Sequence, residues 1–202
     1  MSAQEKGGST AMSSGIEVTI WGWKGIGIGP GGSVGHVMIT NAGTAGVVLS
    51  QFPHAVGDPE TPYGPNTTLS FLETKHEMNR PVGVVFAIDI PDTISFSAMA
   101  SNERERPIWC WDPELPRETH CARAAYDALR AGGLNIDPED RYLIHDGERK
   151  EILPNSLWTL LSRVAGASVV QTNEENVDSA TLTDREERVR VYMRGFRLRN
   201  SL

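Results

Sequence analysis

The chain has few cysteines and no long apolar run, and both absences narrow the classes of protein to which it can belong. Its 202 residues include only 2 cysteines, Cys110 and Cys121. A single disulfide would add little to a domain of this size, so free thiols compete well with a bridge. No stretch of about 18 apolar residues occurs, so the sequence predicts no membrane span. Cys110, His120 and Cys121 lack the second ligand pair of a structural zinc site, so no metal is predicted either.

The chain also lacks a basic charge balance and an apolar leader. Its formal net charge of −7 argues against general nucleic-acid binding, which needs a basic surface. Residues 1–14 are polar and rich in Ser and Gly, which predicts a flexible segment and synthesis in the cytoplasm without a signal peptide. An arginine-rich C-terminus is the local exception, and alternation over 188–192 favours a solvated strand there over a polyanion site. Its arginines are Arg185, Arg188, Arg190, Arg194, Arg197 and Arg199.

What is present fits one globular domain. With 39% hydrophobic and 22% charged residues, residues 15–202 are predicted to form a single domain with its own core. Alternating or continuous apolar patterns predict strands and helices. The strands are expected near 16–21, 36–40, 46–52 and 82–90, and the helices over 67–77, 93–104, 120–130 and after Pro154. We therefore predict an α+β fold, with a central antiparallel sheet and helices packed on it.

A glycine-rich loop over 22–35 invites a dinucleotide-binding interpretation through Gly25-x-Gly27-x-Gly29. That fingerprint must open a helix, whereas the residues that follow, from His36 to Thr40, predict a strand. No Gly-Lys-Ser/Thr occurs for a phosphate-binding loop. The sequence therefore predicts no cofactor, and the glycines indicate a loop that brings backbone close to something, such as a substrate.

Cys121 lies at the second position of the predicted helix 120–130, for which Thr119 is a plausible N-cap. The positive end of the helix dipole favours thiolate over thiol, and the thiolate is the nucleophile. First-turn amides are also suited to supporting an oxyanion. The alternative is a small core residue, because Cys121 shares an apolar helix face with Ala124, Ala125 and Ala128.

The order of these features resembles the circularly permuted branch of the papain-like superfamily, which includes NlpC-type cysteine peptidases and lecithin-retinol-acyltransferase-like enzymes. Gly35-His36-Val37 follows the glycine loop, and the strand that returns beside it ends in Ser50-Gln51-Phe52-Pro53. Thr119-His120-Cys121 then opens a helix, and His36 and Cys121 are 85 residues apart. In that branch the histidine strand precedes the nucleophile helix, the reverse of papain. The resemblance covers roughly residues 16–165.

The resemblance implies Cys121 as nucleophile and His36 as its base. Ser50 matches the third residue, which orients the imidazole, with Gln51 and His54 as alternates. Many relatives carry His, Asn or Asp there, so Ser50 departs from the pattern.

Other residues have less specific interpretations. Trp21, Trp23 and Gln51 are the predicted substrate-binding residues, with core packing as the equal alternative for the two tryptophans. Cys110, between Trp109 and Trp111, is the rival nucleophile, and its apolar setting predicts an inert thiol. His120 is expected to point to the surface, and His76 to lie on a solvated helix face.

The resemblance implies hydrolysis of an amide bond, most of all in peptidoglycan stem peptides. Without a signal peptide, such an enzyme is expected to be a type VI secretion effector, a toxin exported to the periplasm of a target cell. Its implied partners are an immunity protein and a component of the secretion apparatus. The alternatives are a cysteine protease, deamidase or acyltransferase acting on a protein or lipid of the target cell, and a non-catalytic binding module.

Overall fold

A fully antiparallel five-stranded sheet forms the centre of the molecule. The computed structural model describes residues 15–25, 34–53, 63–110, 113–145 and 148–173. The strand order in the central sheet is β11-β6-β1-β2-β3. Its strands are β1 (Gly15–Trp21), β2 (His36–Asn41), β3 (Val47–Leu49), β6 (Val84–Asp89) and β11 (Ala167–Thr172).

Two smaller sheets accompany the central one among the described residues. Four strands in the order β4-β5-β7-β8 form the first: β4 (Gln51–Pro53), β5 (Tyr63–Thr68), β7 (Ile108–Cys110) and β8 (Glu118–Thr119). Within it, β7 and β8 run parallel. The second is the antiparallel pair β9 (Tyr142–His145) and β10 (Glu148–Glu151), which follows a short 3-10 helix, Pro138–Arg141.

Four α-helices lie in the described part of the chain: α1 (Phe71–Met78), α2 (Thr93–Glu105), α3 (Cys121–Ala131) and α4 (Pro154–Leu161). Local capping explains where several of them begin. Ser70 and Glu73 form a reciprocal capping box at α1, and Asp92 accepts the amide of Ser95 at α2. Pro154 begins α4, because proline suits a first turn in which its missing N–H has no intrahelical partner. No helix of the described residues is long and apolar enough to cross a membrane.

The main core fills one face of the central sheet. Alternate residues of β1 and β2, such as Ile20 and Val37, belong to a single apolar cluster with α3, α4 and part of α2. Their neighbours Trp21 and His36 point to the opposite face. The fully buried alanines of α3, including Ala122 and Ala125, let this helix lie close to the sheet. The predicted α+β class and central antiparallel sheet are therefore confirmed.

The predicted strand 46–52 is wrong in one important respect, since it is broken at Ser50. Leu49 pairs with Ile39 in the central sheet, whereas Gln51 pairs with Thr68 in the four-stranded sheet. Ser50 is the corner at which the chain changes sheet. The sequence pattern did not reveal the break, because buried residues continue through both segments.

Two predicted helix starts also differ. The helix expected over 67–77 begins only at Phe71, because residues 63–68 form β5 and Ser70 is the cap. The cap of α3 is His120, not Thr119, which belongs to β8. The predicted segment 1–14 and the strand over 188–192 lie outside the described residues.

Candidate active site

A glycine with a special backbone conformation places His36. Gly35 has φ = +79°, a region that L side chains rarely adopt, and a Cβ there would collide with the carbonyl oxygen of Trp21. The next residue, His36, begins β2 directly opposite Trp21. Its ring stacks on Phe52 at 4.0 Å between centroids and lies 6.1 Å from the ring of Trp21. The imidazole is therefore held by aromatic rings on two sides.

A chain of buried hydroxyl groups continues from this imidazole. His36 Nε2 and Ser50 Oγ are 3.0 Å apart, and Ser50 Oγ is 2.7 Å from Thr74 Oγ1 of α1. All three side chains are buried. Ser50 is thus in contact with His36, as the resemblance implied. The sequence analysis did not identify Thr74. Its position on the same helix face as the apolar residues Phe71 and Met78 is the signal that could have marked it as inward-facing.

Burial also fixes the protonation state of His36. Removal of the ring from water, reinforced by the positive charge of Arg80, lowers the pKa of His36 from 6.5 to about 3. The imidazole is therefore neutral at physiological pH. A neutral imidazole can accept a proton, which is the state that a general base requires.

The thiol of Cys121 meets the same strand one residue further on. On the β3 side of β2, the amide of Asn41 donates to the carbonyl oxygen of Gly46. The direction of the N–H groups alternates along a strand, so every second amide faces the same side. The amide of Val37, four residues before Asn41, therefore also faces the β3 side. Because the chain leaves the sheet at Ser50, β3 does not cover that amide. Cys121 occupies the position at which β3 would have paired with Val37, and its thiol accepts a hydrogen bond from the Val37 amide.

The helix terminus does not make this thiol acidic. Hydrogen bonds from the amides of Val37, Ala122 and Cys121 itself lower the pKa, but desolvation outweighs them and raises the pKa of Cys121 from 9.0 to about 11. The side chain is only 4% exposed. The expectation that the helix dipole yields a resting thiolate is therefore wrong, because burial in the core destabilises the thiolate more than the amide hydrogen bonds stabilise it.

The imidazole and the thiol are neighbours along β2 without a hydrogen bond between them in the described structure. Cys121 belongs to the apolar cluster that contains Val37, whereas the His36 ring lies on the opposite face with Trp21 and Phe52. Both groups meet β2 beside the corner at Ser50. The structure thus brings His36 and Ser50 into direct contact, and brings Cys121 to the backbone of the residue after His36.

Gln51 is the other buried polar residue of this corner. Its Oε1 accepts from Thr68 Oγ1 at 2.7 Å, and its backbone carbonyl accepts from the indole of Trp109 at 3.2 Å. Its Nε2 is buried without a hydrogen-bond partner among the described residues. Since the Gln51 side chain bonds to Thr68, Ser50 alone of the described candidates for the third residue has a hydrogen bond to the imidazole. The alternate His54 lies outside the described residues.

His120, expected at the surface, is fully buried. Its Nδ1 accepts the amide N–H of Arg123 at 3.2 Å, so the ring caps α3 and its proton is assigned to Nε2. That Nε2 is buried and has no partner in the described part of the chain. Burial, with a contribution from Arg123, lowers the pKa of His120 to about 3. The expectation failed because a residue just before a helix follows extended geometry, not the helical wheel.

An ion pair anchors the segment that leads into Cys121. The hydroxyl of Thr119 donates to Glu103 Oε2 at 2.6 Å, and Arg106 pairs with the other oxygen of Glu103 at 2.5 Å. Arg106 also donates to the carbonyl of Glu118 at 2.8 Å. Desolvation raises the pKa of Glu103, which makes its neutralising partners necessary. Helix α2 therefore fixes the start of α3.

The predicted substrate-binding tryptophans have different environments. Trp21 is buried, so it is not an open groove wall, but its ring borders a cavity. Trp23 is half-buried, with the Arg80 guanidinium 5.5 Å from its ring centroid. Its amide donates to Asn155 Oδ1 at 2.8 Å, which ties the entry of the glycine loop to α4. Residues 26–33 of that loop lie outside the described ranges.

The remaining candidates do not form a second centre. Neither Cys110 nor Cys121 forms a disulfide within the described ranges, and Cys110 is half-buried on β7. His76 lies exposed on α1, as expected. Within the described ranges, no group of three or more His, Cys, Asp or Glu side chains is arranged to hold a metal ion.

Comparison with family models, with curated proteins and with solved structures finds no match to this chain.

Proposed function

We propose that the protein is a cysteine hydrolase of the permuted papain-like type, with Cys121 as nucleophile, His36 as general base and Ser50 as the residue that orients the base. The observation that carries the proposal is the corner at Ser50. There the hydroxyl binds the His36 imidazole at 3.0 Å, and the departure of the chain from the sheet exposes the Val37 amide that binds the Cys121 thiol. The order of histidine strand, orienting residue and nucleophile helix supports the permuted topology.

The reaction is acyl transfer from an amide. As Cys121 attacks the carbonyl carbon, its proton passes to His36, and the tetrahedral oxygen takes up negative charge. His36 then protonates the departing amine, and water attacks the thioester to release the acid and restore the thiol. The buried Nε2 of Gln51 is available to donate to the developing oxyanion, since β4 contacts α3. This gives Gln51 a role in binding the substrate carbonyl.

The described conformation corresponds to a closed resting state of this enzyme. The thiol pKa near 11 and the imidazole pKa near 3 both disfavour proton transfer from Cys121 to His36. Desolvation is the largest cause of both shifts, so access of solvent or substrate to the corner returns both values towards normal. Proton transfer also requires Cys121 and His36 to come within hydrogen-bond distance, and in the described conformation they lie on opposite faces of the sheet. Catalysis therefore requires the site to open and the two side chains to rearrange before the thiol is activated.

The substrate class that best fits the resemblance is the peptide of the bacterial cell wall. An amide in a peptidoglycan stem peptide, cleaved in the periplasm of a target cell, gives the protein the role of an antibacterial effector delivered by a type VI secretion system. Such an effector requires an immunity protein in the producing cell.

Digestion of purified peptidoglycan tests the proposal. The wild type, Cys121→Ala and the matched control Cys110→Ala are incubated with sacculi, and the soluble products are resolved by mass spectrometry. We expect cleaved stem peptides from the wild type and from Cys110→Ala, and none from Cys121→Ala. Cleavage by Cys121→Ala would remove Cys121 as nucleophile. Absence of cleavage by the wild type, with activity on other peptides or proteins, would keep the hydrolase and discard the cell-wall substrate.

A second candidate is a non-catalytic binding module, and the burial of Cys121 favours it. A thiol that is 4% exposed, in an apolar cluster and without a bond to the imidazole, is also what a core cysteine looks like. In that case, Cys121→Ala would cost stability alone. The two functions separate on catalysis: only the hydrolase loses turnover in Cys121→Ala while the variant keeps its fold and its affinity for the substrate.

A further inference from the structure

A cavity opens on the His36 face of the central sheet, beside the proposed active site. Its volume is about 480 Å³, and we call it the Arg80 pocket. It is lined by Trp21, Lys75, Arg80, Gln171, Thr172 and Asn173, together with two apolar residues. The volume lies in the range of about 300–1,000 Å³ that is typical of small-molecule sites. Trp21 lies opposite His36 in the β1–β2 pairing, so the pocket and the imidazole share a wall.

The charge of the Arg80 pocket is opposite to that of the chain. The whole protein carries a formal charge of −7, yet the pocket has two cationic side chains, Lys75 and Arg80. None of its lining residues, all of them in the described part of the chain, is acidic. Two cations that line one concave surface raise the local concentration of anions. The pocket is therefore selective for negative charge.

Contacts with aromatic rings position both cations, and a hydrogen bond to the backbone also holds Arg80. Arg80 Nη2 donates to the carbonyl oxygen of Trp21 at 3.3 Å, and its guanidinium lies 5.5 Å from the Trp23 ring centroid. The ammonium of Lys75 lies 5.4 Å from the centroid of the Phe71 ring. Because Trp21, which accepts the hydrogen bond from Arg80, pairs with His36 across β1 and β2, the guanidinium lies near the imidazole. Arginine keeps its charge at all physiological pH values, so the pocket stays positive.

We propose that the Arg80 pocket binds the free carboxylate of a peptide, and so selects acidic or carboxyl-terminal peptide substrates for cleavage beside His36. The cleavage part of this inference rests on the proposed function, whereas the binding part does not. The guanidinium supplies paired donors to the carboxylate, Lys75 adds a second positive charge, and the amides of Gln171 and Asn173 supply polar groups at the rim. A peptide carboxylate held there extends its backbone past Trp21 towards His36.

A binding experiment without turnover tests the pocket. The probes are N-acetyl-alanyl-alanine with a free carboxylate and the same dipeptide as its carboxamide, titrated calorimetrically into Cys121→Ala protein. We expect the acid to bind about tenfold more tightly than the amide, the worth of one charge-assisted hydrogen bond. Adding Arg80→Gln or Lys75→Gln should remove or reduce that preference. Adding Arg104→Gln, which removes an exposed arginine of α2 outside the pocket, should leave it unchanged.

Equal affinity for the acid and the amide would overturn the proposal. An equal loss of the preference for the acid in Arg104→Gln and in Lys75→Gln would also overturn it, because that result indicates general attraction by surface charge. Lys75 is exposed, so Lys75→Gln remains informative if Arg80→Gln fails to fold. Inorganic phosphate serves as a competitor: binding of phosphate in the pocket with no preference for the acid dipeptide would replace the peptide by a phosphate ligand and overturn the inference. A preference for the acid without any cleavage by the wild type would leave the pocket in place and remove the proposed function.

Discussion

The two faces of the central sheet at β2 hold their groups by different kinds of interaction. On one face, His36 is fixed by a hydrogen bond to Ser50, which is itself bonded to Thr74, and by stacking on the ring of Phe52. On the other, Cys121 is fixed by close packing of an alanine-lined helix, with backbone amides as its polar partners. The position of the proposed base therefore depends on individual hydrogen bonds, and the position of the proposed nucleophile depends on side-chain volume.

The difference also sets the chemical states of the two groups. Both are desolvated, but desolvation raises the pKa of a thiol and lowers that of an imidazole, so both are neutral. In this arrangement the proposed nucleophile is a neutral thiol, and the proposed base is a neutral imidazole of low basicity. Perturbing the two faces separately tests whether the contrast holds.

The largest expected effect is on the reactivity of Cys121. In Cys110→Ser protein, the remaining thiol should alkylate with iodoacetamide about a hundredfold more slowly in the native state than in urea at about pH 8. The reason is that a shift of the pKa from 9.0 to about 11 lowers the thiolate fraction by that factor. Mass spectrometry of time points gives the rates. Native alkylation as fast as in urea would show that the thiol is accessible and has an ordinary pKa, and faster native alkylation would show that the helix terminus makes it acidic.

The next effect comes from the volume of the nucleophile face. Ala125→Leu places extra methylene and methyl groups where α3 meets the sheet, and should lower the free energy of unfolding by about 1–3 kcal/mol. Ala98→Leu is the control, because Ala98 is exposed on α2. Urea denaturation of both variants measures the difference. Equal stability of the two would mean that α3 does not pack tightly on β2.

The fold was more predictable from sequence than the site, for physical reasons. Strands β1, β2 and β6 and helices α2, α3 and α4 follow from periodicity and turn residues, which are local signals. The edge strand β11 was not predicted. The break at Ser50 is not local, because pairing of Gln51 with Thr68 decides it. The burial of His120 and the placement of Lys75 and Arg80 around one cavity likewise depend on tertiary packing. His36 and Ser50 were predicted together only through the resemblance, and the contact between them is present.

A graded effect is expected at low pH. His36 and His120 each have a pKa lowered from 6.5 to about 3, so the unfolded chain binds more protons between those values. Their contribution to stability is present above about pH 6.5 and is lost as the pH falls towards 3, with a slope of about 1.4 kcal/mol per unit for each group. His120→Asn keeps a cap acceptor and should remove one of the two contributions. Denaturation at a series of pH values measures the slope, and an unchanged slope in His120→Asn would mean that this ring is hydrated in the folded state.

The smallest effect is expected from one hydroxyl on the imidazole face. Ser50→Ala leaves Thr74 Oγ1 and His36 Nε2 without the atom that joins them, and should lower the free energy of unfolding by about 1–2 kcal/mol. Ser97→Ala, on the exposed side of α2, is the matched control. If His36 is the base, turnover of a peptide substrate should also fall about tenfold with KM little changed, because a loosely held imidazole accepts the proton less often. A loss of stability with full turnover would make the hydroxyl chain a structural element of this face, and would separate the packing of His36 from its proposed role in catalysis.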